Sequence, residues 1–291
     1  MTSGLARPGG PEGPFVDLHS HSTASDGSKA PKAVVTAAKA AGLSAIALTD
    51  HDTMAGVAEA MAAGEALGVR VVPGVELSAI DEDREVHLLG LHVHRPGALD
   101  DSLRTFRESR HVRAQHIVAK LNDLGVSVTF DDVLARAGDA AIGRPHLARV
   151  LIEGGWARDS RDAFDRYLGA GRPAYVAKHR LSVADAIALV HAAGGLAVVA
   201  HPGADGRREI IERYVDVGLD GLEVRHPGHS AEDMNRLGAL AAFFGLVPSG
   251  GSDWHGATEG PRVLGVMRVP IPWLEQQDAR VEARRAASTA V

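Results

Sequence analysis

Short apolar runs recur along the chain, and ionisable side chains follow each of them directly. Between residues 15 and 94, the runs FVDLH, SAIALTD, VRVVPGVE and VHLLGLHV alternate with Ala-rich segments of helical character. Pro31 and Gly42 bracket the first of these segments, as expected at the start and the end of a helix. The alternation predicts βα units around a parallel sheet, and therefore an α/β fold.

The middle of the chain has a different pattern. From about Leu99 to Lys178, charged helical segments follow one another without a convincing strand, and the βα alternation returns from Ser182. We therefore expect a helical insertion that caps the substrate. We also expect a Gly- and Pro-rich flexible leader, and a charged tail that is either a peripheral helix or disordered. The expected division is leader 1–14, α/β domain 15–98 and 180–272, insertion 99–179 and tail 273–291.

Composition excludes several functional classes. The 291 residues include no Cys, which removes disulfides and thiolate chemistry, so any metal must be held by His, Asp or Glu. No apolar run approaches the roughly 18 residues of a membrane span, and no signal-peptide core is present, so we expect a cytoplasmic protein without a membrane partner. The net charge of -6 argues against a large nucleic-acid surface. A small anionic substrate remains compatible with bound divalent cations.

The ionisable residues that follow the strand candidates are expected to meet. If parallel strands close into a barrel, their carboxyl ends lie at one rim, where barrel enzymes hold their active sites. Imidazole and carboxylate suit Zn, Mn or Fe, whereas an all-oxygen set would favour Mg or Ca. The groups are HSH (19–21), TDHD (49–52), Glu76, the strand beginning at His87, His201, EVRH (223–226) and SDWH (252–255).

Taken singly, these residues are weak evidence for a metal site. A chain of this His content contains about one HxH by chance, and a lone His is more often a surface or hydrogen-bonded residue. TDHD is stronger, because three ionisable groups in four residues need a cation or another partner, and SDWH follows the same reasoning. Gly250 and Gly251 would let the backbone turn tightly and bring Asp253 and His255 inward. The hydrogen-bonded or surface interpretation is kept for His92, His94, His111, His116 and His191.

The chain resembles the PHP family, the polymerase and histidinol phosphatase metal-dependent phosphoesterases, from about Asp17 to Gly265. The resemblance rests on seven motifs in order: DLHSHSTASDG, LTDHDT, PGVE, HLLG, AHPG, LEVRHPGHS and SDWHG. It implies a distorted (β/α)7 barrel with about two or three divalent ions, Mn, Fe or Zn, at its rim. The implied ligands are His19, His21, Glu76 and Asp253 for the first ion, Glu76, His87 and His201 for the second, and Asp26, His51 and His255 for the third.

The sequence of the insertion indicates which group of PHP enzymes the chain resembles. AIGRPHLARVLIEGG and DRYLGAGRPAYVAKH resemble PHP phosphoesterases that act on nucleotides. These include enzymes that remove the 3′-phosphate from nucleoside 3′,5′-bisphosphates and enzymes that trim short RNA from its 5′ end. Arg144 and Lys178 would then hold substrate phosphate, with His146 nearby, since Arg suits a bidentate grip and Lys a point charge. VAKH differs from the YVPK or YVPR form of that subfamily, and the alternative for both cations is surface charge on helices.

The implied chemistry is in-line attack on phosphorus by water that the ions activate. His226, after the strand DGLEV, is the candidate general acid or phosphate contact, and His229 is the second choice for contact with substrate. A helix-capping or buried hydrogen-bonded role is the alternative for each. His51 and Asp253 complete the candidate catalytic residues.

The expected function is hydrolysis of a phosphate monoester in a small nucleotide, such as a nucleoside 3′,5′-bisphosphate, together with 5′–3′ exoribonuclease activity on short RNA. One alternative is the same chemistry on a sugar phosphate or on histidinol phosphate. Another is a noncatalytic PHP module of the kind found within some DNA polymerases. The complete set of implied ligands argues against the module.

Overall fold

The strands form one eight-stranded sheet that wraps into a nearly closed barrel. A computed structural model describes residues 14–82, 84–138, 142–177 and 181–289. The strands are β1 (Phe15–Asp17), β2 (Leu43–Leu48), β3 (Arg70–Asp81), β4 (Arg84–Leu91), β5 (Leu196–Val199), β6 (Gly221–Arg225), β7 (Val247–Gly250) and β8 (Val269–Pro270). They are ordered β7-β6-β5-β4-β3-β2-β1-β8.

Helices connect most of the strands. They are α1 (Pro31–Ala40), α2 (Val57–Leu67), α3 (Pro96–Asp123), α4 (Phe130–Ala137), α5 (Arg144–Glu153), α6 (Ser160–Ala163), α7 (Val183–Ala192), α8 (Arg208–Asp216), α9 (Ala231–Phe244) and α10 (Ile271–Thr289). None of the described helices is long and apolar enough to cross a lipid bilayer.

The segments that follow β1 and β7 pair with each other and bring the two ends of the sheet together. The Leu18 amide donates to the Gly250 carbonyl at 3.0 Å, and the His21 amide donates to the Trp254 carbonyl at 2.8 Å. A parallel bridge between Ser20 and Trp254 lies in the same seam. The prediction of a distorted α/β barrel is therefore confirmed.

Two strands depart from the expected parallel arrangement: the short β8, which is antiparallel to β1, and β4, which affects the site. β4 runs antiparallel to both β3 and β5, whereas β1 to β3 and β5 to β7 are parallel. Only two residues separate the end of β3 at Asp81 from the start of β4 at Arg84, and a parallel crossover needs a dozen residues or more. The reversal brings the amino end of β4 to the rim where the other strands end. His87 reaches that rim for this reason.

The barrel interior is apolar, and α10 covers the end opposite this rim. Leu18, Leu89 and Val198 are fully buried inside, together with Leu274 of α10. α10 also bonds to residues at the amino ends of several strands: Arg70 of β3 binds Asp278, and Gln277 donates to the Pro248 carbonyl of β7 at 3.0 Å. The far end of the barrel is thus occupied by a packed helix.

Helices α4 to α6 form a helical layer with a hydrophobic cluster of its own. α3 takes part both in this cluster and in the cluster of the barrel. Leu99 and Leu103, near its start, pack in the barrel cluster, whereas Ile117 and Leu121, near its end, pack with α4 and α5. With 28 residues, α3 is about 42 Å long. One continuous helix therefore joins the barrel to the helical layer above its rim.

Candidate metal centre

Strand ends place the implied ligands around one buried carboxylate, Glu76 in the middle of β3. Glu76 is 1% exposed. Its amide donates to the Asp50 carbonyl and its carbonyl accepts from the Asp52 amide, so the end of β2 holds His51 beside it. Five imidazole nitrogens approach its two oxygens: at Oε2, His19 Nε2 at 3.2 Å, His21 Nε2 at 3.2 Å and His51 Nδ1 at 3.3 Å, and at Oε1, His87 Nδ1 at 2.8 Å and His201 Nε2 at 3.0 Å.

Two other carboxylates complete the centre on either side of His21. Asp253 Oδ1 lies 3.2 Å from His21 Nε2 and 3.5 Å from His19 Nε2. Asp26 Oδ1 lies 3.2 Å from His255 Nε2 and 3.8 Å from His21 Nδ1. The structure thus brings all nine implied ligands into one connected cluster.

Within the residues that the structure describes, three sets of donor atoms lie close enough together to hold a cation. Within each set, the donors are within 4.8 Å of one another; the sets are His19, His21, Glu76 and Asp253; His21, Asp26, His51 and His255; and His51, Glu76 and His87. The first set is the one implied for the first ion, and the second contains the three residues implied for the third. The remaining set differs from the implied one, because it contains His51 in place of His201, whose Nε2 lies 3.0 Å from Glu76 Oε1.

A cation fits this donor set on a separate observation. Both ring nitrogens of the fully buried His21 lack an aligned hydrogen bond within the described part of the chain. Its Nε2 nevertheless faces oxygens of both Glu76 and Asp253 at 3.2 Å. Buried polar atoms without partners are costly, and mixed imidazole and carboxylate donors suit Zn, Mn or Fe. A divalent ion would satisfy these atoms together.

Electrostatics keep the carboxylates of the centre ionised. Burial alone would raise the pKa of Glu76, but the charge of His19 and the hydrogen bonds from His19 and His201 hold it well below its usual value. Hydrogen bonds from His21 and His226 likewise lower the pKa of Asp253 against the effect of burial. These oxygens are therefore available as charged ligands across the physiological pH range.

The imidazoles of the centre differ in the direction in which their pKa is shifted. Burial would lower the pKa of His21 and of His87, but their carboxylate neighbours outweigh it and raise both to about 9. For His51, burial dominates and lowers the pKa to about 3, despite the attraction of Glu76. His51 is therefore a neutral donor, whereas His21 and His87 must give up a proton when they bind a metal.

The backbone at this rim is strained. His201 and Asp253 adopt positive φ values of 31° and 52°, which side chains other than glycine seldom do. Gly251 allows a close approach, since a Cβ there would lie 2.5 Å from the His19 amide nitrogen. Gly250 and Gly251 are not among the residues with positive φ. The expected tight turn is therefore replaced by close packing of the end of β7 against β1.

Within TDHD, protein partners hold the two aspartates. Buried Asp50 accepts from the Ser22 amide at 2.7 Å and from the Ser25 hydroxyl at 2.6 Å, which orders the loop carrying His21 and Asp26. Asp52 pairs with Arg110 of α3. Only His51 of this group reaches the metal cluster.

Sequence reasoning included Glu223 in the group EVRH but gave this carboxylate no role of its own. It is fully buried, and its Oε1 lies 3.1 Å from His19 Nδ1. Its Oε2 accepts the His201 amide hydrogen at 2.6 Å. Because Glu223 takes up the Nδ1 of His19, the ring presents Nε2 to the cluster, which is the usual arrangement of a carboxylate behind a metal-binding His.

We expect Glu223→Gln to weaken metal binding by about 10- to 100-fold, because the amide loses the charge that fixes the His19 ring. Titration of metal-free protein against a competing chelator measures this. Glu232→Gln, an exposed change on α9, is the matched control. Equal metal affinity in Glu223→Gln and wild type would contradict the orienting role.

The two candidate proton donors, His226 and His229, differ in how many of their ring nitrogens are already hydrogen-bonded. His229 is occupied at both ring nitrogens, since Nδ1 donates to the Val224 carbonyl at 2.9 Å and Nε2 accepts from the Gly203 amide at 3.1 Å. This arrangement favours the hydrogen-bonded interpretation of His229 over substrate contact. In His226, Nδ1 accepts from the Gly228 amide at 3.0 Å. The proton of a neutral His226 therefore lies on Nε2, 3.4 Å from Asp253 Oδ2.

A cationic cleft of about 500 Å³ separates the metal cluster from the helical layer. Arg144 lies over the rings of Phe164 and Tyr175, and its Nη1 donates to the Leu168 carbonyl at 3.3 Å. His146 also lines the cleft, and its Nδ1 accepts from the Gly143 amide at the start of α5. The second predicted phosphate contact, Lys178, lies outside the described residues. Among the described residues, four guanidinium groups line the cleft: Arg110, Arg113, Arg144 and Arg149.

A further arginine stands on the other side of the cluster. Arg262, in the connection between β7 and β8, pairs with Asp253 and lines the cavity that contains His226. Nothing in its local sequence indicated this contact, because it depends on how a long loop folds back over the rim.

Several known proteins are similar to this chain in sequence. Residues 17–191 match the profile of the PHP domain family. A 3′,5′-nucleoside bisphosphate phosphatase of Chromobacterium violaceum is 38% identical over 86% of this chain and 90% of its own length. A 5′-3′ exoribonuclease of Haemophilus influenzae is 38% identical over 82% of this chain and 89% of its own.

The structural comparison agrees. A crystal structure described as a putative metal-dependent phosphoesterase from Bifidobacterium adolescentis superposes with a TM-score of 0.80 at 34% identity, covering 93% of this chain and 98% of that one. Barrel, clustered metal ligands and these matches define a PHP-type protein, as the motif series predicted. The chain belongs to the PHP domain family.

Proposed function

We propose that this chain is a metal-dependent phosphoesterase that hydrolyses a phosphate monoester of a small nucleotide, such as a nucleoside 3′,5′-bisphosphate, and that it also trims short RNA from its 5′ end. The observation that carries the proposal is the position of the four-arginine cleft directly beside three overlapping cation-binding sets. One phosphate can reach the cations while the other is held by guanidinium groups. The names of the relatives from C. violaceum and H. influenzae support the choice of substrates.

The chain's own residues would divide the work as follows. The nine clustered ligands hold about two or three divalent ions, Mn, Fe or Zn, which supply the positive charge that polarises the phosphoryl group and activates water. Arg144 binds the nonreacting phosphate, because its guanidinium is already ordered by Phe164 and the Leu168 carbonyl. His226 would hydrogen-bond through its Nε2–H to a phosphate oxygen or to the leaving oxygen, because its Nδ1 already accepts from the Gly228 amide. Lys178 stays a proposed second phosphate contact.

A phosphate-release panel tests the function. Metal-loaded protein receives adenosine 3′,5′-bisphosphate, mononucleotides, 5′-phosphorylated short RNA, sugar phosphates and histidinol phosphate. We expect the bisphosphate to give the highest kcat/KM. A higher kcat/KM for a sugar phosphate or histidinol phosphate would favour that alternative substrate, and no turnover of any compound would favour the noncatalytic module. A cytoplasmic location, suggested by the absence of Cys, also stays a prediction.

We expect Arg144→Ala to raise the KM for adenosine 3′,5′-bisphosphate by about 10- to 100-fold, since charge-assisted hydrogen bonds to phosphate are lost. A mononucleotide with a single phosphate should lose less. Arg136→Ala is the matched control, because Arg136 pairs with Glu153 at the surface and does not line the cleft. Equal effects of the two substitutions on the bisphosphate would contradict the role of Arg144.

A further inference from the structure

A second cleft, of about 450 Å³, opens beside the metal cluster between the β4–β5 edge and α8. Val86 of β4 and Pro202 form part of its walls, together with Ile210 of α8. Its floor includes the buried Val199 and Ile211. The volume falls within the roughly 300–1,000 Å³ of small-molecule pockets. We call it the apolar cleft.

The apolar cleft is continuous with the metal centre through two of its histidines. His87 and His201 line both the apolar cleft and the cavity over Glu76. Their side chains are 23% and 29% exposed, and their ring centroids are 5.2 Å apart. A molecule whose phosphate lies at the cations could therefore place its other end in the apolar cleft.

The two clefts that flank the metal cluster differ in the charge of their lining. The cleft beneath the helical layer carries four guanidinium groups. The apolar cleft has Glu85 and Asp205 at its edge. Arg84, the guanidinium that lines it within the described part of the chain, already pairs with Asp81 at 3.2 Å and Asp205 at 3.3 Å. A phosphate is disfavoured there, whereas an uncharged planar ring can pack against the apolar walls and the imidazoles.

We propose that the apolar cleft is the subsite for the nucleobase of a phosphorylated nucleoside whose phosphates occupy the metal centre and the arginine cleft. The choice of a nucleotide as ligand rests on the proposed function. Because the floor and part of the walls are apolar, we expect ring packing, which every base can provide, to contribute to binding. The four common bases are therefore expected to bind with KM values within about fivefold of one another.

Ile210→Trp tests the subsite by filling it from α8. The probes are adenosine 3′,5′-bisphosphate and its abasic analogue, 1,2-dideoxyribose 3,5-bisphosphate. In wild type, removal of the base should raise KM by about tenfold, and in Ile210→Trp this ratio should fall towards one. Glu212→Trp introduces the same ring at an exposed position of α8 that does not line the cleft, and should keep the wild-type ratio. Ile210→Ala, which carries little risk of misfolding, should reduce the ratio in the same direction.

Binding of adenosine, followed by ligand-observed NMR on the metal-loaded protein, separates this inference from the proposed function. Loss of adenosine binding in Ile210→Trp but not in Glu212→Trp supports the subsite even if no nucleotide is hydrolysed. Turnover of the bisphosphate with the same abasic ratio in both variants overturns the subsite while the function stands. Absence of adenosine binding to wild type also overturns it.

Discussion

Asp253→Asn is expected to lower phosphate release by at least about 1,000-fold, because several kcal/mol of charge stabilisation by bound cations depends on this carboxylate. Its Oδ1 faces both His19 and His21, and its Oδ2 faces His226 and Arg262. An amide of the same shape keeps the volume and removes the charge. The substitution therefore affects cation binding and the orientation of the proposed proton donor together.

The measurement is kcat on the bisphosphate at saturating metal, with urea unfolding to check the fold. Asp216→Asn, an exposed change at the end of α8, is the matched control. The substitution leaves the apolar cluster around Leu18 and Leu89 unchanged, so the variant should remain folded. Activity within tenfold of wild type would remove Asp253 from the centre.

Removal of metal should abolish turnover, and readdition should restore it. Protein purified without chelator should contain about two or three ions of Mn, Fe or Zn per chain, whereas chelator-treated protein should contain none and release no phosphate. Mn²⁺, Fe²⁺ or Zn²⁺ should restore activity better than Ca²⁺, because imidazoles dominate the donor set around Glu76. Elemental analysis and the phosphate assay on the same samples measure both quantities.

Metal should also stabilise the fold. An ion present at 100 times its dissociation constant adds about 2.7 kcal/mol to the free energy of unfolding, provided that it binds only the folded chain. Thermal unfolding with and without Mn²⁺ tests this, and the chelator-treated Asp253→Asn variant should gain less. Full turnover by protein shown to be metal-free would reject the metal-dependent mechanism. Metal-free protein that folds and binds a protein partner would favour the module.

The metal cluster was accessible from the sequence because its signals are local. HSH, TDHD and SDWH each follow an apolar strand, and parallel strands bring their ends to one rim. His87 reached that rim by a different route, since β4 is reversed by a connection of two residues. The short spacing between the third and fourth apolar runs could have predicted an antiparallel β4. The βα pattern of the neighbouring runs favoured a parallel strand instead.

Other features depend on contacts between distant residues. Glu223 and His19 are 204 positions apart, so no local pattern links the carboxylate to the imidazole that it orients. Arg110 and Arg262 belong to a helix and a loop whose positions over the rim are set by tertiary packing. The partition of His51 and His201 between ligand sets likewise depends on distances of a few ångströms, which residue types do not specify.

The length of α3 has a consequence for substrate choice. Its first turns are anchored in the barrel and its last turns in the helical layer, while Arg110 and Arg113 lie between these anchors. The Arg110–Asp52 pair also ties the middle of the helix to the end of β2. The helix therefore fixes the distance between the cation-binding sets and the guanidinium groups, and under the proposed function this distance would select substrates by the separation of their two phosphates.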